Sequence, residues 1–156
     1  MTTIRELREA EKTHLKDFLY EAIFLPEGTE PPERSIVEKP ELALYYENFG
    51  EGPADFCLVA EEDGKPVGAV WTRIMKDYGH IEETTPSLAI ALYPQYRGRG
   101  SGTALMKALL KLLRQKGYHS VSLSVQKANP AVRMYEHTGF EVVQEREEEY
   151  LMRCDL

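Results

Sequence analysis

Gln95-Tyr96-Arg97-Gly98-Arg99-Gly100-Ser101-Gly102 joins an apolar run, Leu88-Ala89-Ile90-Ala91-Leu92, to a helix-like stretch from Thr103 to Lys116. A strand that ends in a glycine-rich turn and then becomes a helix is a built anion site. The first turn of a helix presents unpaired N–H groups and the positive end of the macrodipole. Glycine lets the backbone approach a phosphate with no Cβ in the way. Arg97 and Arg99 add charge and donors. The stretch therefore points to a phosphate-bearing ligand. A plain strand-to-helix turn is the bland alternative, but such a turn needs one glycine and no arginine.

Working outward, the flanking sequence supplies a complete set of elements. Ser101 to Lys116 carries Leu105, Leu109, Leu112 and Leu113 as a helical stripe, with Gly117 as the stop. Pro86 to Tyr93 is a strand whose unbroken apolar core predicts burial on both faces. Asp55 to Met75 is a hairpin: Phe56 to Ala60 and Pro66 to Met75 are its strands, and Glu62-Asp63-Gly64-Lys65 is its turn. Thr2 to Leu7 alternates and reads as a first strand. Glu9 to Phe24 places Leu15, Phe18, Leu19, Ala22 and Ile23 on one helical face. Pro26 to Pro32 is a loop, and Glu41 to Phe49 reads as a short second helix. Lys76 to Thr85 is polar and reads as a loop.

Downstream, Val121, Leu123 and Val125 alternate with serines in a strand. Asn129-Pro130 opens a helix, with Asn as cap and Pro in the first turn, and the helix ends at Gly139. Phe140 to Gln144 and Tyr150 to Asp155 are closing strands around the acidic run Glu145 to Glu149. No internal repeat or low-complexity segment divides the chain, so residues 1–156 read as a single domain.

Composition narrows the class. Hydrophobic residues make up 42% and charged residues 29%, the balance of a soluble globular protein. The formal net charge of -7 disfavours non-specific binding to nucleic acid or to an anionic membrane and favours a cationic partner. No apolar run approaches the roughly 20 residues of a membrane span. The N-terminal residues lack the apolar core of a signal peptide. Cys57 and Cys154 lie far apart, without metal-ligand spacing, and read as free thiols in a reducing cytoplasm. His14, His119 and His137 share no motif, and no metal is expected.

Two phosphate-loop templates do not fit. A nucleotide P-loop requires Gly-Lys followed by Ser or Thr, which is absent. A dinucleotide fold requires its glycines after the first strand and an acidic residue about 20 positions on. Here the glycines lie in mid-chain, and the next strand ends at Val125-Gln126-Lys127. A third template fits. Gln95-x-x-Gly98-x-Gly100 resembles the acyl-CoA pyrophosphate loop of the GCN5-related N-acetyltransferases, the GNAT superfamily. Asn129-Pro130-Ala131-x-x-x-Tyr135-Glu136-x-x-Gly139-Phe140 is similar to that family's later motif. The strict motifs span Leu88 to Phe140, and the order of elements matches over nearly the whole chain.

The resemblance implies an α/β (α+β) fold with a central, mixed, twisted sheet of about seven strands flanked by about four helices. It implies transfer of acetyl from acetyl-CoA, a co-substrate, to a primary amine by direct attack in a ternary complex. A CoA-binding sensor or structural module without catalysis is the alternative. The backbone of Arg97, Gly98, Arg99, Gly100, Ser101 and Gly102 would hold the pyrophosphate. Ile90, Ala91 and Leu92 would pair with the pantetheine amides like an added strand. Asn129 would face the same arm in addition to its capping role. Tyr135 reads either as a core aromatic or as the acid that meets the leaving sulfur.

An alkylammonium must lose a proton before it attacks. The family often places a carboxylate on or near the strand before the loop, and Ser87 to Tyr93 has none. Glu82 and Glu83 are the nearest candidates, with Asp77, Tyr78 and His80 close by and water as the alternative. Trp71 reads as core or as a wall of the acceptor pocket. Glu145 to Glu149 reads as a solvated turn or as an entrance for a cationic acceptor. The acceptor is expected to be a small-molecule or peptide amine, with no nucleic acid or membrane partner; the family is often dimeric.

Overall fold

Asp63 and Gly64 both take positive φ, 51° and 77°, and this pair folds β2 (Phe56–Glu62) back on β3 (Lys65–Arg73) as the sequence predicts. The computed structural model of the chain describes residues 2–156. Besides the hairpin it contains β1 (Thr3–Glu6), β4 (Ser87–Leu92), β5 (Ser120–Gln126), β6 (Glu141–Glu145) and β7 (Glu149–Asp155). The helices are α1 (Leu15–Ala22), α2 (Pro40–Ala43), α3 (Ser101–Gln115) and α4 (Ala131–His137). The strands form one sheet in the order β1-β2-β3-β4-β5-β7-β6. Every pair is antiparallel except β4 and β5.

Period-2 alternation sorts the sheet's side chains onto two cores. On one face, Val70, Leu88, Leu123 and Met152 pack under Leu105, Met106, Leu109 and Leu113 of α3. On the other, Val59, Ala69 and Trp71 pack under Leu15, Phe18 and Leu19 of α1. Trp71 is fully buried, and its indole N–H donates to Tyr45 O at 3.0 Å. It is core, not pocket.

Three boundaries differ from the sequence reading. The first helix begins as a 3₁₀ segment, Glu9–His14, which buries no residue. Its apolar anchors start only at Leu15, so nothing packs a regular turn before that point. Glu11 is instead drawn to β1, where it accepts from Arg5 at 2.8 and 2.7 Å. The second helix stops at Ala43. The carbonyls of Leu44, Tyr45 and Glu47 are taken by Arg73 and Trp71, which compete with the next helical turn. Asn48 then turns left-handed at φ 54°.

The third difference positions the site. β4 and β5 share a single registered pair, Ser87 with Ser122. Past it, β4 stays with β3 and β5 stays with β7. The two strands splay, and their facing backbone edges are left without a ladder partner. Ala89, Ile90 and Leu92 are therefore only half-buried, not covered on both faces.

Candidate active site

A 3₁₀ turn, Pro94–Tyr96, carries β4 into the glycine loop. Gly98 and Gly100 have φ of 76° and 83°. A Cβ in this region costs roughly 1–2 kcal/mol, so glycine is the natural occupant. Left-handed residues on either side of Arg99 shape the backbone into an anion-binding nest. Among the described residues, none of the amides from Gly98 to Thr103 has a hydrogen-bond acceptor; the Ala104 N–H is the first to find one, Gly100 O at 3.1 Å. This supply of donors at the start of α3 fits a pyrophosphate.

The arginines act differently from the sequence expectation. Arg97 Nε donates to Leu92 O at 3.0 Å, and its Nη2 donates to Glu21 O at 3.2 Å. Arg97 thus braces the end of β4 against α1. Arg99 lies 5.3 Å above the Tyr96 ring and 3.6 Å from Glu62. Among the described residues Arg99 donates no hydrogen bond, so its guanidinium and the backbone amides together supply the donors free for a ligand.

The splay and the loop form one cleft in two halves. The loop half, about 600 Å³, runs from Arg97 and Gly102 along Ile90, Ala91 and Leu92. The other half, about 380 Å³, reaches Tyr78 and Glu149. They meet at Ile90, Asn129, Tyr135 and the residues Ala22 to Phe24 that end α1. Asn129 Oδ1 accepts the Ala131 N–H at 2.9 Å and so caps α4.

α4 presents Tyr135 at this junction. The ring packs against Phe140, with centroids 6.0 Å apart. The residue is nearly buried, yet its hydroxyl has no hydrogen-bond partner among the described residues. Burial pushes the phenol up to about 12, because the phenolate would be poorly solvated there. Tyr135 therefore keeps its proton at neutral pH and has it to give.

Residues 16–140 match the model of the acetyltransferase (GNAT) family. The chain belongs to this family. A glucosamine 6-phosphate N-acetyltransferase of Trypanosoma brucei brucei is 33% identical over 97% of this chain and 95% of that protein. A mycothiol acetyltransferase of Pseudarthrobacter chlorophenolicus is 31% identical over 70% of this chain, and the match covers 34% of that protein. This GNAT chain thus spans about a third of the length of such relatives. The crystal structure of the PaiA N-acetyltransferase of Thermoplasma acidophilum in complex with coenzyme A shares the fold, with a TM-score of 0.71 over 100% of this chain and 99% of that one at 20% identity.

Within the GNAT frame, the predicted residues divide into those that line the cleft and those that do not, and Gly98, Arg99, Gly100 and Ser101 of the nest are outside its lining. Ile90 to Leu92, Arg97, Gly102, Asn129 and Tyr135 line the cleft together. Glu82 and Glu83 do not. The Glu82 carboxylate accepts from Thr85, whose hydroxyl bonds to Ser120 at the start of β5. Ser120 lies four residues from Ser124 in the cleft wall, about 13 Å along the strand. Glu83 is exposed beside His80, at 3.7 Å. Glu21 lines the loop half, paired with Arg97, and the carboxylate in the lining of the other half is Glu149, which opens β7 opposite Gln126. Sequence reads Glu145 to Glu149 as a solvated turn or as an entrance for a cationic acceptor; of that run the structure puts Glu149 in the cleft lining, as the first residue of β7.

Proposed function

We propose that this protein transfers acetyl from acetyl-CoA to a primary amine, with both substrates in the cleft at once. The observation that carries this reading is the unpartnered, protonated Tyr135 hydroxyl at the junction of the two halves. The loop half is the donor side. The amides of Gly98 to Thr103 hold the pyrophosphate, and the unpaired edge of Ile90 to Leu92 receives the pantetheine arm as an added strand. Acetyl-CoA supplies an activated thioester.

The other half is the acceptor side. The amine nitrogen forms the new C–N bond, the C–S bond breaks, Tyr135 gives its proton to the departing sulfur, and the proton that the nitrogen sheds as it becomes an amide returns to the Tyr135 oxygen through water. Neither Glu82 nor Glu83 reaches the cleft, so neither takes the proton of the incoming ammonium; that proton leaves by the open mouth, where Glu149 is in the lining and Tyr78 and Gln126 are exposed to water. No covalent enzyme intermediate is needed: Cys57 and Cys154 are buried and do not line the cleft. Two free thiols also support a reducing compartment such as the cytoplasm.

Tyr135→Phe tests the assignment. General-acid catalysis contributes typically 10²–10⁴-fold, so kcat should fall by about 100-fold or more. The Kd for CoA should stay within about two-fold, because the phenol's partner is the reacting sulfur. Unchanged turnover would remove Tyr135 from the chemistry. A wild-type chain that binds acetyl-CoA and acetylates nothing would instead be a sensor.

A further inference from the structure

The walls of the acceptor half say more about the acceptor than that it is an amine. Leu19, Leu42, Leu88, Leu123 and Val125 with Phe24 give it a hydrocarbon lining. Among the described residues no Lys or Arg lines it, and Glu149 is its only carboxylate. That carboxylate is held through one oxygen by an ion pair, and its Oε2 has no partner among the described residues. Arg146 Nη1 donates to Glu149 Oε1 at 2.7 Å and to Tyr78 O at 2.8 Å, which fastens the loop before β4 to the start of β7. The Tyr45 hydroxyl donates to Asp77 at 2.7 Å, so its remaining capacity is that of an acceptor.

We propose that the acceptor is a primary amine carried on an apolar body, with one positive charge, and that Glu149 is the residue that selects it. The inference rests on the acetyl-transfer reading and deepens it. An acceptor that bears a phosphate would bring a dianion into a half-site with no cation in its lining, where an unpaired charge is strongly disfavoured. A polyamine would bring a second ammonium to a chamber with one carboxylate, and its other charges would be desolvated without partners. A single ammonium held by Glu149 lets the rest of the molecule exchange water for the leucine and phenylalanine walls. A chamber of about 380 Å³ suits a small ligand or one terminal residue of a chain.

Calorimetric titration in the presence of CoA reads this half of the cleft without relying on turnover. The probes are 2-phenylethylamine, the amide of a dipeptide that begins with phenylalanine, spermidine and glucosamine 6-phosphate. The first two should include the tightest ligand, at least about ten-fold tighter than spermidine or glucosamine 6-phosphate. Which of the two wins separates a free arylalkylamine from an apolar peptide terminus. Glu149→Gln should weaken that ligand about ten-fold or more, Glu149→Asp should restore part of the loss, and the acetyl-CoA Kd should stay within about two-fold in both. Equal affinities, a reversed order, or an unchanged amine Kd in Glu149→Gln overturns the inference. Failure of the wild-type chain to bind CoA is a different result: it refutes the acetyl-transfer reading itself and takes this inference with it.

Discussion

Gly100→Ala perturbs the phosphate nest at one atom. Gly100 has φ 83°, and an added Cβ meets nothing within 4 Å. The substitution is therefore free of clash, and its whole effect is backbone strain of roughly 1–2 kcal/mol. That strain has two places to appear. A rigid loop keeps its shape, and the free protein loses about 1–2 kcal/mol of stability, or roughly 2–8 °C in Tm for a chain of this size. A compliant loop relaxes in the free protein, and the strain returns when the ligand demands the nest. The Kd for CoA then weakens about 5- to 30-fold. Denaturant unfolding and calorimetry measure the two losses separately. Their sum should be about 1–2 kcal/mol whichever way it divides. A sum near zero would refute the reasoning, because the bound loop would then not need a left-handed residue at position 100.

Other consequences follow from charge and capping. With Glu149 holding the ammonium and water taking its proton, kcat/KM should rise about ten-fold per pH unit toward the amine's own pKa, near 10 for an alkylamine. Tyr135 is pushed up to about 12, so its proton should not limit the rate on the alkaline side below about pH 10; a plateau near pH 7 would reveal an enzyme base. Asn129→Ala removes the α4 cap and should cost about 1 kcal/mol, a Tm drop of roughly 2–4 °C in a thermal melt. Arg5 holds the Glu11 carboxyl down to about 2 in the folded chain, against an ordinary value of 4.5. Because this folded pKa is depressed, the pair's contribution is present above about pH 4.5 and is lost as pH falls toward 2. Glu11→Gln should flatten that acid limb in urea titrations between pH 5 and pH 2.

The legible parts of this molecule were those set by neighbours in sequence. Asp63-Gly64 makes its turn from its own backbone preferences, and the leucine stripe of α3 needs only a sheet to cover. The glycine loop and the Asn129 cap are equally local. What sequence hid was long-range. Ala89, Ile90 and Leu92 read as fully buried because an apolar run looks the same whether protein or ligand covers it. Only the splay of β4 from β5 shows that half of that cover is missing. Glu82 and Glu83 were nearest in sequence to the loop strand but lie toward the far end of β5. Glu149, some sixty residues on, reaches the cleft because β7 inserts between β5 and β6. Arg97 looked like a phosphate ligand by its charge. Its role as a brace depends on Glu21, which sequence places 76 residues away.

The most direct test of the account is the release of free thiol from acetyl-CoA by the wild-type protein, followed alongside the appearance of acetylated amine for a panel of apolar primary amines. The account predicts thiol release that depends on the amine, saturates with it and equals the acetylated product mole for mole. Thiol release that ignores the amine, or none with any amine at saturating acetyl-CoA, would contradict it.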